Sequence, residues 1–195
     1  MSAERNQEKT NGARWLCAGV LFACLLLISR IPSVAQEGPK LPAAKDVVKP
    51  KAYASLDKVP RGRAFDVAVV GEIMSGFHVN SNKPTEEYLI STQLLPEFPA
   101  GYKILATTYP PGKLTKFEFS EKQLSVYEGK FTLRMKIQAP AGTPLGAAKL
   151  PISLRYQACN DSACLPPVKI PVELEIELVA AGATARPIHP EIFKK

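Results

Sequence analysis

The strongest constraint on the fold is a strict two-residue alternation near the C-terminal end of the chain. Val168, Ile170, Val172, Leu174, Ile176 and Leu178 fall on one face of an extended segment, and Lys169, Pro171, Glu173, Glu175 and Glu177 fall on the other. Successive side chains of a β-strand point to opposite faces, so this pattern buries one face and wets the other. Phe131 to Ile137 alternates in the same way, as do Leu150, Ile152, Leu154 and Tyr156 against Pro151, Ser153 and Arg155. Shorter candidate strands are Ala64 to Ile73, Phe77 to Asn80, Tyr88 to Ile90 and Tyr102 to Thr107. Prolines at 60, 84, 96, 99, 110, 111, 140, 144, 151, 166, 167 and 171 leave little room for long helices, because each removes an N–H donor and clashes with the preceding turn. Pro171 predicts that its strand lies at a sheet edge or turns its free side outward. The expected fold is all-β: seven or so short antiparallel strands with Gly and Pro turns, arranged as an immunoglobulin-like two-sheet β-sandwich, with a closed barrel as the alternative.

Before this region the chain reads as an export signal and a linker. Arg14 closes a polar, basic start, Trp15 to Ile28 is a 14-residue apolar run, and Ser33-Val34-Ala35 offers small residues for cleavage. The expected division is a signal peptide over 1–35, a Pro-rich linker over 36–52, a β-sandwich domain over 53–179 and a flexible tail over 180–195. The apolar run is short for a bilayer span, which takes about 20 residues. Retention of the leader as an anchor stays open. Loss of the leader removes four basic and two acidic residues, so the net charge of +7 falls to +5. That excess is scattered, with no basic stripe interleaved with aromatics, and argues against nucleic-acid binding. The expected product is a periplasmic monomer.

Cys17 and Cys24 lie in the leader, which leaves Cys159 and Cys164 as one isolated pair in an exported chain. They sit in Tyr156-Gln157-Ala158-Cys159-Asn160-Asp161-Ser162-Ala163-Cys164-Leu165-Pro166-Pro167, between two strands, with turn-forming residues between the sulfurs. An inert structural bridge is the default reading in an oxidising compartment. A loop this short gains only roughly 2 kcal/mol from cross-linking, so stability alone is a weak reason for it. Two cysteines on one hairpin tip also meet the needs of thiol exchange: one sulfur attacks a disulfide in line and the other resolves the mixed disulfide. No basic residue adjoins the pair, and Asp161 disfavours a thiolate beside it, so a strongly acidic cysteine is not expected.

Around this string the chain resembles the N-terminal periplasmic domain of the thiol:disulfide interchange protein DsbD. The resemblance extends from Tyr-Gln-x-Cys and Cys-x-Pro-Pro to Gly76-Phe77-His78-Val79-Asn80 with Lys83-Pro84, to Gly101-Tyr102 and Tyr109-Pro110, and to Val126-Tyr127-Glu128-Gly129, covering roughly residues 55 to 178. It implies an immunoglobulin-like sandwich that takes reducing equivalents from a thioredoxin-like or membrane disulfide reductase and passes them to periplasmic protein disulfides. It also implies that Cys164 attacks and Cys159 resolves, and that Phe117 or Phe119 caps the pair. The chain reaches Lys195 without the family's membrane and thioredoxin-like domains, so the expected donor is a separate polypeptide.

His78 and Asn80 lie two apart and share one face of their stretch, which the resemblance places next to the cysteines. His78 beside a thiol could move a proton. The plain alternative is a histidine hydrogen-bonded within a sheet, and the strand-like alternation of Phe117 and Phe119 also fits the core, the commoner fate of aromatics. Met74, His78, Cys159 and Cys164 have the soft ligand chemistry of a Cu(I) site, but no ligand spacing supports one, and no metal or cofactor is expected. Asn160-Asp161-Ser162 matches a glycosylation acceptor and carries no weight at that length. No residue set for hydrolytic or nucleotide chemistry is present. The leading expectation is a thiol-disulfide exchange module. The alternatives are a non-catalytic immunoglobulin-like binding module with a static bridge and, behind it, a Cu(I)-binding protein.

Overall fold

The computed structural model describes residues 41–194. The expected leader, with Cys17 and Cys24, and the first part of the expected linker lie outside these residues. The strands are β1 (Val48–Ala54), β2 (Val59–Pro60), β3 (Ala64–Ile73), β4 (His78–Asn80), β5 (Gln93–Pro96), β6 (Lys103–Thr108), β7 (Lys113–Thr115), β8 (Leu124–Glu128), β9 (Lys130–Gln138), β10 (Gly146–Tyr156), β11 (Ala158–Cys159) and β12 (Val168–Val179). A short helix, α1 (Pro190–Phe193), follows. One sheet has the order β1-β3-β9-β6 and a second the order β2-β12-β10-β5. The alternating apolar residues meet between them: Val67 and Val69 of β3 and Leu133 and Met135 of β9 join Leu150 and Leu154 of β10 and Leu174 and Ile176 of β12 in one core. This is the all-β immunoglobulin-like sandwich that the alternation predicts.

The sandwich carries a third four-stranded sheet, β11-β4-β8-β7, beyond the two expected. Two of its strands are continuations of core strands. β8 runs into β9 through Gly129, whose φ of 62° is open to glycine at little cost. β10 runs into β11 across the single residue Gln157. The core anchors the junction, because Val79 of β4, Tyr127 of β8 and Ala158 of β11 belong to the same buried cluster as the two main sheets. At the crossing of β3 and β9, Gly71 lies opposite Phe131, and a Cβ there would meet the Phe131 ring at 2.4 Å.

Several expectations are corrected. The fold begins before Tyr53, since β1 pairs with β3 over its whole length, from Val48 opposite Ile73 to Ala54 opposite Val67. Pro50 is tolerated because β1 is an edge strand, and the exposed Lys49 and Lys51 gave the segment a linker-like composition. The segment after Val179 is also held rather than loose. Ile188 N donates to Ser55 O at 3.0 Å, Arg186 binds both carboxylate oxygens of Asp57, and Arg134 donates to Ile192 O at 2.7 Å. Tyr88 to Ile90 is no strand; the pairing strand is β5, because Leu89 turns into a small cluster with Phe117, Leu124 and Val126. Pro171 stands as expected: β12 pairs with β10 along its length and with β2 only at Leu178 and Val179. Among the described residues no helix is long and apolar enough to cross a membrane.

Candidate redox site

The cysteine hairpin is built from the end of β10. Tyr156 is fully buried and its hydroxyl donates to Ala44 O at 2.7 Å, which fixes the strand end to the start of the domain. Gln157 then links three segments. Its Oε1 accepts from Asn80 Nδ2 at 3.3 Å and from Ile90 N at 3.4 Å, and its Nε2 donates to Leu165 O at 3.4 Å. Past β11, Asn160 N donates to Ala163 O and Leu165 N to Ala158 O, at 2.9 and 2.8 Å. Those bonds flank Cys159 and Cys164 and leave them as the non-hydrogen-bonded pair, the class in which facing residues come closest. Their Cα atoms are 3.9 Å apart and the sulfurs are bonded. Asn160 Oδ1 accepts from Ser162 N and Ala163 N at 2.9 and 2.8 Å, closing the turn with an Asx motif.

The two sulfur-bearing residues differ sharply in access. Cys159 is 1% exposed, while Cys164 lies on the exposed arm of the turn. Leu165 is buried and pins that arm at its base, and Pro166 and Pro167 continue it in the open.

Register aligns the neighbours. Cys159 faces Cys164 on one side and His78 on the other, and His78 in turn faces Glu128. Directly opposed residues share a sheet face, so Cys164, Cys159, His78 and Glu128 form one row across the third sheet. His78 is 3% exposed, and its Nε2 is buried without a hydrogen-bond partner. Its ring stacks on Phe117 with centroids 4.1 Å apart and planes at 22°. Burial pushes the imidazole below its usual 6.5, against the opposing pull of Glu128 and Asp161. His78 is therefore neutral at neutral pH. Glu128 is held below the usual carboxylate range, first by its hydrogen bond from Lys113 at 2.7 Å.

Asn80 has a different role. It is fully buried, donates to Ile90 O at 3.1 Å and to Gln157, and its backbone oxygen accepts from Thr92 Oγ1 at 2.6 Å. It organises the 81–92 loop. Phe117 is buried over His78, whereas Phe119 stacks outside it at 5.3 Å and is 47% exposed. Their loop is drawn closed by Lys116 Nζ, which donates to Ser120 O and Glu121 O, and an ion pair of 2.9 Å between Lys122 and Glu86 ties it to the neighbouring loop. Beside the row opens a cleft of about 430 Å³ lined by Met74, Phe77, His78, Phe117, Glu128 and Asp161. Among the described residues no group of three or more His, Cys, Asp or Glu side chains is placed to hold a metal.

Gln157, Glu128 and Asp161 were not singled out from sequence as site residues. Gln157 was visible as the residue after the strand end and two before Cys159. Glu128 joins the site only through register, and Asp161, visible in sequence between the cysteines, reaches His78 only through the turn geometry.

An immunoglobulin-like sandwich that presents one disulfide, half buried and half open, on an outlying hairpin defines a disulfide-bearing β domain with a single accessible sulfur. Residues 44–175 match the model of the family described as thiol:disulfide interchange protein DsbD, N-terminal. The chain belongs to that family. Among solved structures, the crystal structure of the Neisseria meningitidis DsbD N-terminal domain in the reduced form is similar, at 19% identity and a TM-score of 0.40, covering 76% of this chain and 95% of that one. Among curated proteins nothing matches.

Proposed function

We propose that this protein is an exported thiol-disulfide exchange module of the periplasm, which takes reducing equivalents from a thioredoxin-like or membrane disulfide reductase and gives them to periplasmic protein disulfides. The observation that carries this reading is the unequal access of the two cysteines, with Cys159 buried and Cys164 open to a partner. In the dithiol form, the Cys164 thiolate attacks a partner disulfide, an S–S bond forms between them, and one partner sulfur leaves as thiolate. Cys159 then attacks Cys164 Sγ, the intramolecular bridge forms, and the second partner sulfur leaves. Two electrons pass to the partner, and a reductase restores the dithiol by the reverse steps. The cap role that the resemblance implies falls to Phe117, which is seated on His78, the residue opposite Cys159, with Phe119 stacked on its outer side. Membership of the interchange family supports the same chemistry.

The test uses the full chain with Cys17 and Cys24 replaced by serine. Cys159→Ser should accumulate partners as mixed disulfides at Cys164, and Cys164→Ser should accumulate none. Trapping by neither variant in the presence of the reductant, together with a reduction potential below about −300 mV, would make the bridge structural; a value between about −180 and −270 mV fits a carrier.

A further inference from the structure

We infer that His78 is the base that takes the proton from the Cys159 thiol in the step that resolves the mixed disulfide. The inference rests on the exchange reading above and adds a residue to it. Once Cys164 is joined to a partner, Cys159 carries a proton, and only its thiolate attacks. Cys159 is 1% exposed, so water has poor access to that proton, and burial disfavours the charged sulfur. A base must therefore come from the protein. His78 is directly opposite Cys159 on β4, on the same sheet face, where facing Cβ atoms lie about 4.5–5.5 Å apart. Its Nε2 is a buried polar atom with no partner in the disulfide form, a cost of the kind that calls for explanation. Two groups of opposite charge to an imidazolium face it, Glu128 from β8 and Asp161 from the turn, and Phe117 covers it.

The proton balance closes. Neutral His78 accepts the Cys159 proton, Glu128 and Asp161 stabilise the imidazolium, the thiolate attacks Cys164 Sγ, and the Cys164–partner bond breaks. The departing partner sulfur takes up that proton from His78, directly or relayed through a water, and the neutral imidazole returns. The absence of basic residues near the pair in sequence is then no obstacle, because the base arrives across the sheet.

The test is a two-phase reaction of the reduced protein, Cys17→Ser and Cys24→Ser throughout, with Ellman's reagent. The first thionitrobenzoate released reports attack by Cys164, and the second reports resolution by Cys159. In wild type the second phase should be flat with pH above the His78 titration and should fall below it. H78Q should slow the second phase about 100-fold at neutral pH, the low end for a positioned base, and should make it rise in proportion to hydroxide. Its first phase should change less than about twofold. H78A with added imidazole should recover part of the second phase, which a purely structural role would not allow. A wild-type second phase already proportional to hydroxide overturns the inference whether or not the variants fold, as does an unchanged second phase in folded H78Q. Release of a single thionitrobenzoate by wild type defeats the exchange reading itself, a different outcome.

Discussion

Removal of the Phe117 ring is the perturbation that most directly joins the packing of the site to its chemistry. Phe117 is 8% exposed in a four-residue cluster with Leu89, Leu124 and Val126 and stacks on His78 at 4.1 Å. Burying a phenylalanine side chain is worth about 1.5–3 kcal/mol, and an aromatic stack adds about 0.5–1.5 kcal/mol. The loop can partly collapse into the space, so little further cavity cost is expected, and Phe117→Ala should destabilise by about 3 kcal/mol at pH 7. That leaves the domain folded, since native stabilities run to about 5–15 kcal/mol. The same substitution hydrates His78, and this sets the sign of the pH effect. In the native protein burial holds His78 below its usual 6.5, so the unfolded chain takes up a proton first as pH falls through that value, and stability drops until the folded value is passed. Phe117→Ala lifts this burial, so the variant should lose less stability on acidification, and the gap between variant and wild type should shrink from pH 7 to pH 5. Urea denaturation of both proteins at the two pH values measures this. A gap below about 1 kcal/mol at pH 7, or one that widens on acidification, would refute the account, the first by showing that the loop opens independently of the fold.

Two further substitutions test the frame on which the site is built. Gly71→Ala puts a methyl group 2.4 Å from the Phe131 ring, and such overpacking costs about 1–3 kcal/mol. The midpoint of thermal unfolding should fall by about 2–4 °C per kcal/mol, and one unchanged within error would show that the ring moves aside freely. Asn160→Ala removes the acceptor for Ser162 N and Ala163 N, bonds that pre-organise the turn for the bridge, at about 1 kcal/mol. The disulfide should then be easier to reduce, with a potential higher by about 20 mV; equilibration against defined thiol buffers would show it, and an unchanged potential would mean that the dithiol form keeps the same turn.

What could be read from the chain depended on whether a residue's environment is set locally. The strands β9, β10 and β12 announce themselves because each has one buried face, so burial writes the alternation directly into sequence. β1 does not: it lies at a sheet edge, Lys49 and Lys51 face solvent, and Pro50 looks like a linker residue until β3 is alongside. The end of the chain was similarly opaque, because Arg186 and Asp57 are 129 residues apart and their pairing leaves no local mark. The cysteine hairpin was legible from turn formers and prolines. The adjacency of His78 to Cys159 was suggested only by resemblance, since a register slip of one residue would turn His78 to the other face.

The third sheet explains why these two sulfurs differ. On its inner face Val79, Tyr127 and Ala158 belong to the common core, and that side holds β11 rigidly. On its outer face the alternation places Cys159, His78 and Glu128 in line. Cys159 is fixed by its own strand and covered by its neighbours, while Cys164 belongs to the returning arm, held through the turn bonds of Ala163 and the buried Leu165 but exposed itself and followed by the exposed Pro166 and Pro167. One strand inside the sheet and one just outside it thus give one cysteine a protein environment and the other access to a partner. Exchange needs that division of labour: the attacking sulfur must reach another protein, and the resolving sulfur must be deprotonated where water is scarce. A basic group next to Cys164 would not serve the second need. A neutral imidazole across the strand from Cys159 does.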